Sequence, residues 1–234
     1  MILKRWAPVL VALPVLAVLL ALGIWQVRRL VWKTDMLATI TASEAGPPVP
    51  LGSAPTPYTK VVATGRFDHG REALLGLEVR GTTLGAHLLV PLLREGAPPL
   101  LVDRGWVPIE RDRPVGRPEG KVSVTGYVRP PDERDWNSPK DDPAGRRFYI
   151  LDTAAIGAAL GLSPPAPFGL VALSPPGTPP ATLPAAPTTL PRPNNPHLGY
   201  AITWFGLAAA LVGVVAAFML RKRQPASEPA RPGL

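Results

Sequence analysis

The side chains with binding chemistry to offer in this chain gather where apolar sequence meets polar. His197 opens the segment His197-Leu-Gly-Tyr-Ala-Ile-Thr-Trp204, between a Pro- and Asn-rich loop and the uninterrupted apolar run from Gly206 to Leu220. A neutral imidazole at that boundary has a lone pair for a metal or a haem iron. It is also the kind of residue that simply decorates a membrane interface, as Tyr200 and Trp204 beside it do. At the other apolar run, Trp25, Arg28, Arg29, Trp32 and Met36 fall on one face at helical spacing. Trp25, Arg28 or Arg29, and Trp32 make a cationic–aromatic patch there, which either anchors a helix through snorkelling arginines or accepts carboxylates in bidentate fashion.

Elsewhere the chemistry thins out. The chain has 3 histidines, at 69, 87 and 197, too dispersed to read as a metal cluster. His87 alternates with apolar residues in a strand pattern and reads as a core or surface residue. His69 lies in an Asp-His-Gly turn, and Asp141-Asp142 before Pro143 reads as a solvated turn rather than a cation site. Cysteine is absent, which excludes disulfides and thiolate metal sites. No G-x-S-x-G, H-E-x-x-H, P-loop or dinucleotide turn is present, so the chain does not read as an enzyme. The net charge of +8 does not point to nucleic acid, because carboxylates at Asp103, Glu110, Asp112 and Glu119 interrupt any basic stripe. Anionic lipid headgroups account for the basic clusters at the ends of the apolar runs.

Two stretches, about Ala7 to Trp25 and about Gly199 to Leu220, approach the ~20 apolar residues that cross a ~30 Å hydrocarbon core. The first is longer than a signal-peptide core and lacks an A-x-A site after it, so it reads as a retained anchor. Arg221-Lys222-Arg223 beyond the second span places the C-terminus in the cytoplasm, and two spans return the N-terminus to the same side. The intervening segment then faces the periplasm or its equivalent. Helical pattern continues from Trp25 to about Ser43 and stops at Gly46-Pro-Pro-Val-Pro50. Strands are expected at Tyr58 to Phe67, Glu72 to Val79, His87 to Leu93, Leu100 to Val107, Lys121 to Val128 and Arg147 to Leu151. Asp152 is a good N-cap for a short helix from Thr153 to Leu160, stopped at Gly161.

The expected fold is therefore a membrane protein with two transmembrane α-helices flanking a mostly antiparallel β periplasmic domain, a sheet or small barrel, with one short helix. The boundaries are 1–43 for the anchor with its amphipathic extension and 44–173 for the β domain. A Pro-rich tether at 174–196, a second span at 197–223 and a tail at 224–234 complete the chain. The tether, with 9 prolines in 23 residues, is read as extended rather than packed, with Ala181 to Leu190 as a candidate edge strand. At about 100° per residue, Gly199, Gly206 and Gly213 share one face, expected to pack on the first span. His197, Ala201, Trp204 and Ala208 then point away from it, toward lipid, a partner or a flat apolar ligand.

Several motifs together resemble the Surfeit-locus cytochrome c oxidase assembly factor family: Gly23-x-Trp25-Gln26-x-x-Arg29 with Trp32-Lys33, Gly65-Arg66-Phe67, Leu101-Val-Asp-Arg-Gly-Trp-Val-Pro108, and His197-Leu-x-Tyr200-Ala-x-Thr203-Trp204. The similarity covers nearly the whole chain, with one departure, Pro196 where asparagine would abut the histidine. It implies a bacterial inner-membrane protein that matures oxidase subunit I with haem A, in contact with subunit I, with haem A synthase as a further partner and with the bilayer. It also implies His197 as axial ligand to the haem iron, Trp204 and Tyr200 near the macrocycle, and Arg29 on a propionate. The alternative is a membrane chaperone that stabilises a subunit I intermediate and binds no haem.

Overall fold

The computed structural model describes residues 2–110, 113–179 and 181–221, so Lys222, Arg223 and the tail of the cytoplasmic-end reading lie outside the described residues. The chain divides into two compact units, one of residues up to Leu37 with those from Pro193, the other Ala38–Arg192.

The first unit is an antiparallel helix pair, α1 (Ile2–Ala45, whose last turns belong to the other unit) and α3 (His197–Arg221). Both are long and apolar enough to cross a membrane. Pro8 and Pro14 sit inside α1, as membrane helices tolerate. The less exposed positions of α1 include Ala12, Leu16, Leu19, Gly23, Gln26 and Leu30; those of α3 include Ala201, Trp204, Ala208, Leu211 and Val215. Alternating three- and four-residue steps make this the seam of a left-handed helix pair.

This overturns the expected glycine seam. A Cβ at Gly199, Gly206 or Gly213 would meet nothing within 4 Å, whereas Ala201 and Ala208 are 3% and 4% exposed. Both stripes repeat every seven residues, so spacing alone does not choose between them. The partner helix chooses, because Gly23 of α1 receives Phe205: a Cβ there would lie 2.7 Å from the ring. His197 consequently turns toward α1.

The second unit is an eight-stranded sheet: β1 (Val49–Pro50), β2 (Lys60–Phe67), β3 (Ala73–Arg80), β4 (Thr83–Arg94), β5 (Ala97–Pro108), β6 (Lys121–Arg129), β7 (Arg147–Phe148) and β8 (Gly169–Ala172), with helix α2 (Thr153–Ala159). The β1–β2, β3–β7 and β5–β8 pairs are parallel and the rest antiparallel. Pairing runs β2–β6–β8–β5–β4 and returns to β2 through Arg66↔Leu93 and Phe67↔Leu92, so these strands close into a small barrel. Gly65 permits the closure, since a Cβ there would lie 2.5 Å from the Leu93 carbonyl oxygen. Val61, Leu88, Val90, Leu92, Leu100 and Val102 fill the interior. A second core of Leu75, Leu89, Leu101, Phe148, Leu151 and Ile156 packs α2 outside the barrel. Asp152 caps α2 by accepting from the Ala155 amide at 3.0 Å, as its position predicts.

The Pro-rich run is packed, contrary to the tether reading. Leu183 and Leu190 are buried, and Ala185 exchanges both backbone hydrogen bonds with Trp106, at 2.8 and 3.2 Å. Leucines between prolines seek burial, and Gly105, at φ +114, lets the Ala185–Ala186 backbone come close. The edge-strand alternative survives only as this single bridge.

His87 is a structural hub. Its Nδ1 meets Asp103 at 2.9 Å and its Nε2 meets Glu78 at 3.0 Å, while Asp103, 3% exposed, also accepts from the Gly105 amide. The Trp106 indole N–H donates to the Glu78 carbonyl at 3.0 Å, and Arg80 stands over the Trp106 ring. The hydrogen bond to Asp103 raises the His87 pKa above its ordinary 6.5, against the opposing effect of burial. The Arg80 hydrogen bond holds Glu78 below its ordinary 4.5, again against burial.

Ala208→Leu should force the helices apart and weaken disulfide cross-linking between cysteines placed in α1 and α3, whereas Gly206→Leu should leave it unchanged. The stability contributed by protonated His87 is fully present below pH 6.5 and lost as pH rises through its raised folded-state value. That of ionised Glu78 is present above pH 4.5 and lost as pH falls through its lowered value. Thermal unfolding of the wild type should therefore soften on the alkaline side of 6.5, and His87→Gln should remove that alkaline slope.

Candidate functional site

The site lies at the His197 end of the helix pair. Pro196 provides the carbonyl that receives the Tyr200 amide at 3.4 Å, so α3 starts at His197 despite the proline. The imidazole lies on the seam side, where its Nδ1 is 2.7 Å from Gln26 Oε1. An amide oxygen only accepts, so Nδ1 carries the proton and, in the neutral ring, Nε2 keeps its lone pair. Nε2 has no protein hydrogen bond among the described residues. Gln26 is 8% exposed, and the ring of Trp25 meets the imidazole edge-on, with centroids 6.4 Å apart at 84°. This is the arrangement that orients a ligating histidine: one nitrogen tied to a fixed acceptor, the other presented.

Further along, Asn195 Nδ2 approaches Thr34 Oγ1 at 3.4 Å, and that hydroxyl donates to the Leu30 carbonyl at 2.8 Å. Asn195 Oδ1 is buried with no hydrogen-bond partner, leaving an unmet acceptor two residues from His197. Arg29 lies with its guanidinium 4.0 Å above the Trp32 ring, a cation–π contact within one turn of α1.

Of the expected site residues, the structure thus joins His197 to α1 through Trp25 and Gln26, and holds Arg29 on Trp32. Trp204 lies two turns below His197 on the same half-buried face, and Tyr200 is 54% exposed. Gln26, quoted in the family motif but given no role from sequence, is the residue that positions the histidine. Its signal was readable: it is the polar member of an otherwise apolar stripe, Leu16, Leu19, Gly23, Gln26, Leu30, and a polar group in such a seam requires a partner. Among the described residues no group of three or more His, Cys, Asp or Glu could hold a metal ion, so His197 would serve only a metal that arrives with most of its ligands.

A helix pair fit to cross a membrane, carrying a polar pair and aromatic residues at one end, together with a small closed β-barrel, defines a membrane-anchored protein with a β domain. The SURF1 family model matches residues 13–209, and the chain belongs to the SURF1 family. It is 30% identical over 233 residues to Surfeit locus protein 1 of Homo sapiens, spanning 86% of this chain and 73% of that protein. The Surfeit locus protein 1 of Xenopus tropicalis is 29% identical over 218 residues, 81% of this chain and 68% of that one. The Cytochrome oxidase assembly protein SHY1 of Saccharomyces cerevisiae is 32% identical over 162 residues, 61% of this chain and 41% of that one.

Gln26→Leu should release the imidazole from its fixed tautomer. Nitrogen NMR of selectively labelled His197 should show Nδ1–H in the wild type and a shift toward Nε2–H in the variant; an identical tautomer in both would show that Gln26 does not set it.

Proposed function

We propose that this chain is a cytochrome c oxidase assembly factor that holds or delivers haem A while oxidase subunit I matures. The observation that carries the reading is the His197 imidazole, tied through Nδ1 to a buried glutamine at 2.7 Å with Nε2 left open. The residues fit a haem: the macrocycle brings four nitrogen donors of its own, so one neutral imidazole suffices where no protein cluster exists. Haem A, when bound, would supply the redox centre that the oxidase needs. His197 would bind its iron, Gln26 would hold the ring in the ligating tautomer, and Arg29 would turn from Trp32 to a propionate. Trp204 and Tyr200 would give the macrocycle aromatic neighbours.

Family membership and the oxidase-assembly name of the yeast relative support the assembly role. The chain's own residues do the work of binding and orienting, and no catalytic step is assigned to it. The partner would be subunit I, with haem A synthase as donor. The protein would lie in the bacterial inner membrane with both termini cytoplasmic and the β domain in the periplasm, consistent with basic residues from Arg221 onward.

The test is the absorption and pyridine-haemochrome spectrum of the full chain purified from a haem A-producing host. The wild type should carry a Soret band, and His197→Ala should bind haem at least tenfold more weakly, a loss of roughly 1.4 kcal/mol, with the β domain still folded. Equal occupancy in the variant would remove His197 as ligand. A wild type free of haem that still stabilises subunit I would favour the chaperone that binds none.

A further inference from the structure

A second surface of the molecule is built for contact and has no part in the helix-pair site. Trp136 is 97% exposed, the most exposed large hydrophobic side chain among those described. It is not on a loose strand of chain. Trp136 and Asn137 are the central residues of a turn closed twice over, by the Ser138 amide on the Asp135 carbonyl at 3.1 Å and the Asp135 amide on Ser138 Oγ at 2.9 Å. On one side Asp132 fastens the loop to Leu151 by reciprocal bonds, its carboxylate accepting from the Leu151 amide at 2.7 Å and its amide donating to the Leu151 carbonyl at 3.0 Å. On the other side Arg134 is paired with Asp141, whose carboxylate also accepts from the Tyr149 amide at 2.8 Å. The loop is thus held in shape around a side chain that gains nothing from the fold.

An indole kept in water while its backbone is already ordered is the arrangement of an interface anchor, since the ordering cost of binding is met in advance. Charge selects the partner. Arg129 is paired with Asp132 and Arg134 with Asp141, so the carboxylates of Glu133 and Asp135 next to the indole are left without an ion-pair partner among the described residues. Exposed tryptophans also seat at membrane interfaces, but Glu133 and Asp135 just before this one would be repelled by anionic headgroups.

We propose that the Trp136 loop docks on a protein, inserting the indole into an apolar pocket rimmed by lysine or arginine. The choice of an oxidase component as that protein rests on the assembly reading above.

The chain has no cysteine, so Asn137→Cys gives one attachment point for an environment-sensitive thiol dye in the otherwise intact full-length protein. The labelled protein is titrated with detergent-solubilised cytochrome c oxidase of the same organism, as the complex and as separated subunits, and with phosphatidylglycerol liposomes. A saturable response to an oxidase component is expected, weakened at least tenfold by Trp136→Ala and weakened by Glu133→Lys and by salt. No response to any component, a response to liposomes alone, or unchanged affinity in Trp136→Ala would overturn the proposal. Complementation of a deletion strain separates the two readings. Restored oxidase activity with wild type and failure with Trp136→Ala supports docking; equal rescue by both overturns docking and leaves the assembly reading standing. A deletion without an oxidase defect overturns the assembly reading, and the titration with the purified components then decides the loop.

Discussion

A glutamine and a histidine, set into an otherwise apolar helix seam, tie the register of the two spans. Between membrane helices apolar contact discriminates poorly, because lipid tails are as apolar as leucine. A hydrogen bond across the seam contributes about 0.6–2 kcal/mol. Sliding one helix by a turn, about 5.4 Å, would leave Gln26 and His197 both unmet at the edge of the hydrocarbon, and an unpaired amide there costs roughly 2–7 kcal/mol. The bond therefore acts more as a register device than as glue. Gly23 adds a steric lock by admitting Phe205, and with the register set by both, His197 has one orientation and Nε2 one direction.

The β domain applies the same economy of polar groups. Asp103 is buried, and its carboxylate is satisfied by His87 and by the Gly105 amide. The strand that carries it continues into Trp106, whose ring fills the space over Gly85 and whose backbone pairs with Ala185 of the Pro-rich run. One short sequence thus serves the ion triad, the β3–β4 hairpin and the docking of a segment about eighty residues on. Two of the family motifs, those around Gly65 and Trp106, are accounted for by barrel closure and packing. The other two, around Gln26 and His197, meet at the helix pair.

Much of this was legible from periodicity. Short β-type runs between turn residues located six of the eight strands within a few residues, Asp152 marked the start of α2, and the two apolar runs marked the spans. The strands that escaped notice, β1 and β8, have two and four residues, too short to show a period, and β8 gains its pairing from strands remote in sequence. The Pro-rich run was misread because proline removes donors without forbidding burial: Leu183 and Leu190 find the domain between the prolines. The glycine stripe of α3 was misread because small residues permit close approach without requiring it.

The sequence by itself determined the class of the protein, two apolar helices around a β domain, and the identity of the residues with ligand chemistry, because hydrophobic period and side-chain type are local properties. Which face of α3 meets α1, that Gln26 is the partner of His197, and that the strands close into a barrel at Gly65 were decided only in the tertiary structure. Those outcomes depend on complementarity between segments far apart in the chain, Phe205 to Gly23 and β4 to β2, and no single segment carries the shape of its partner.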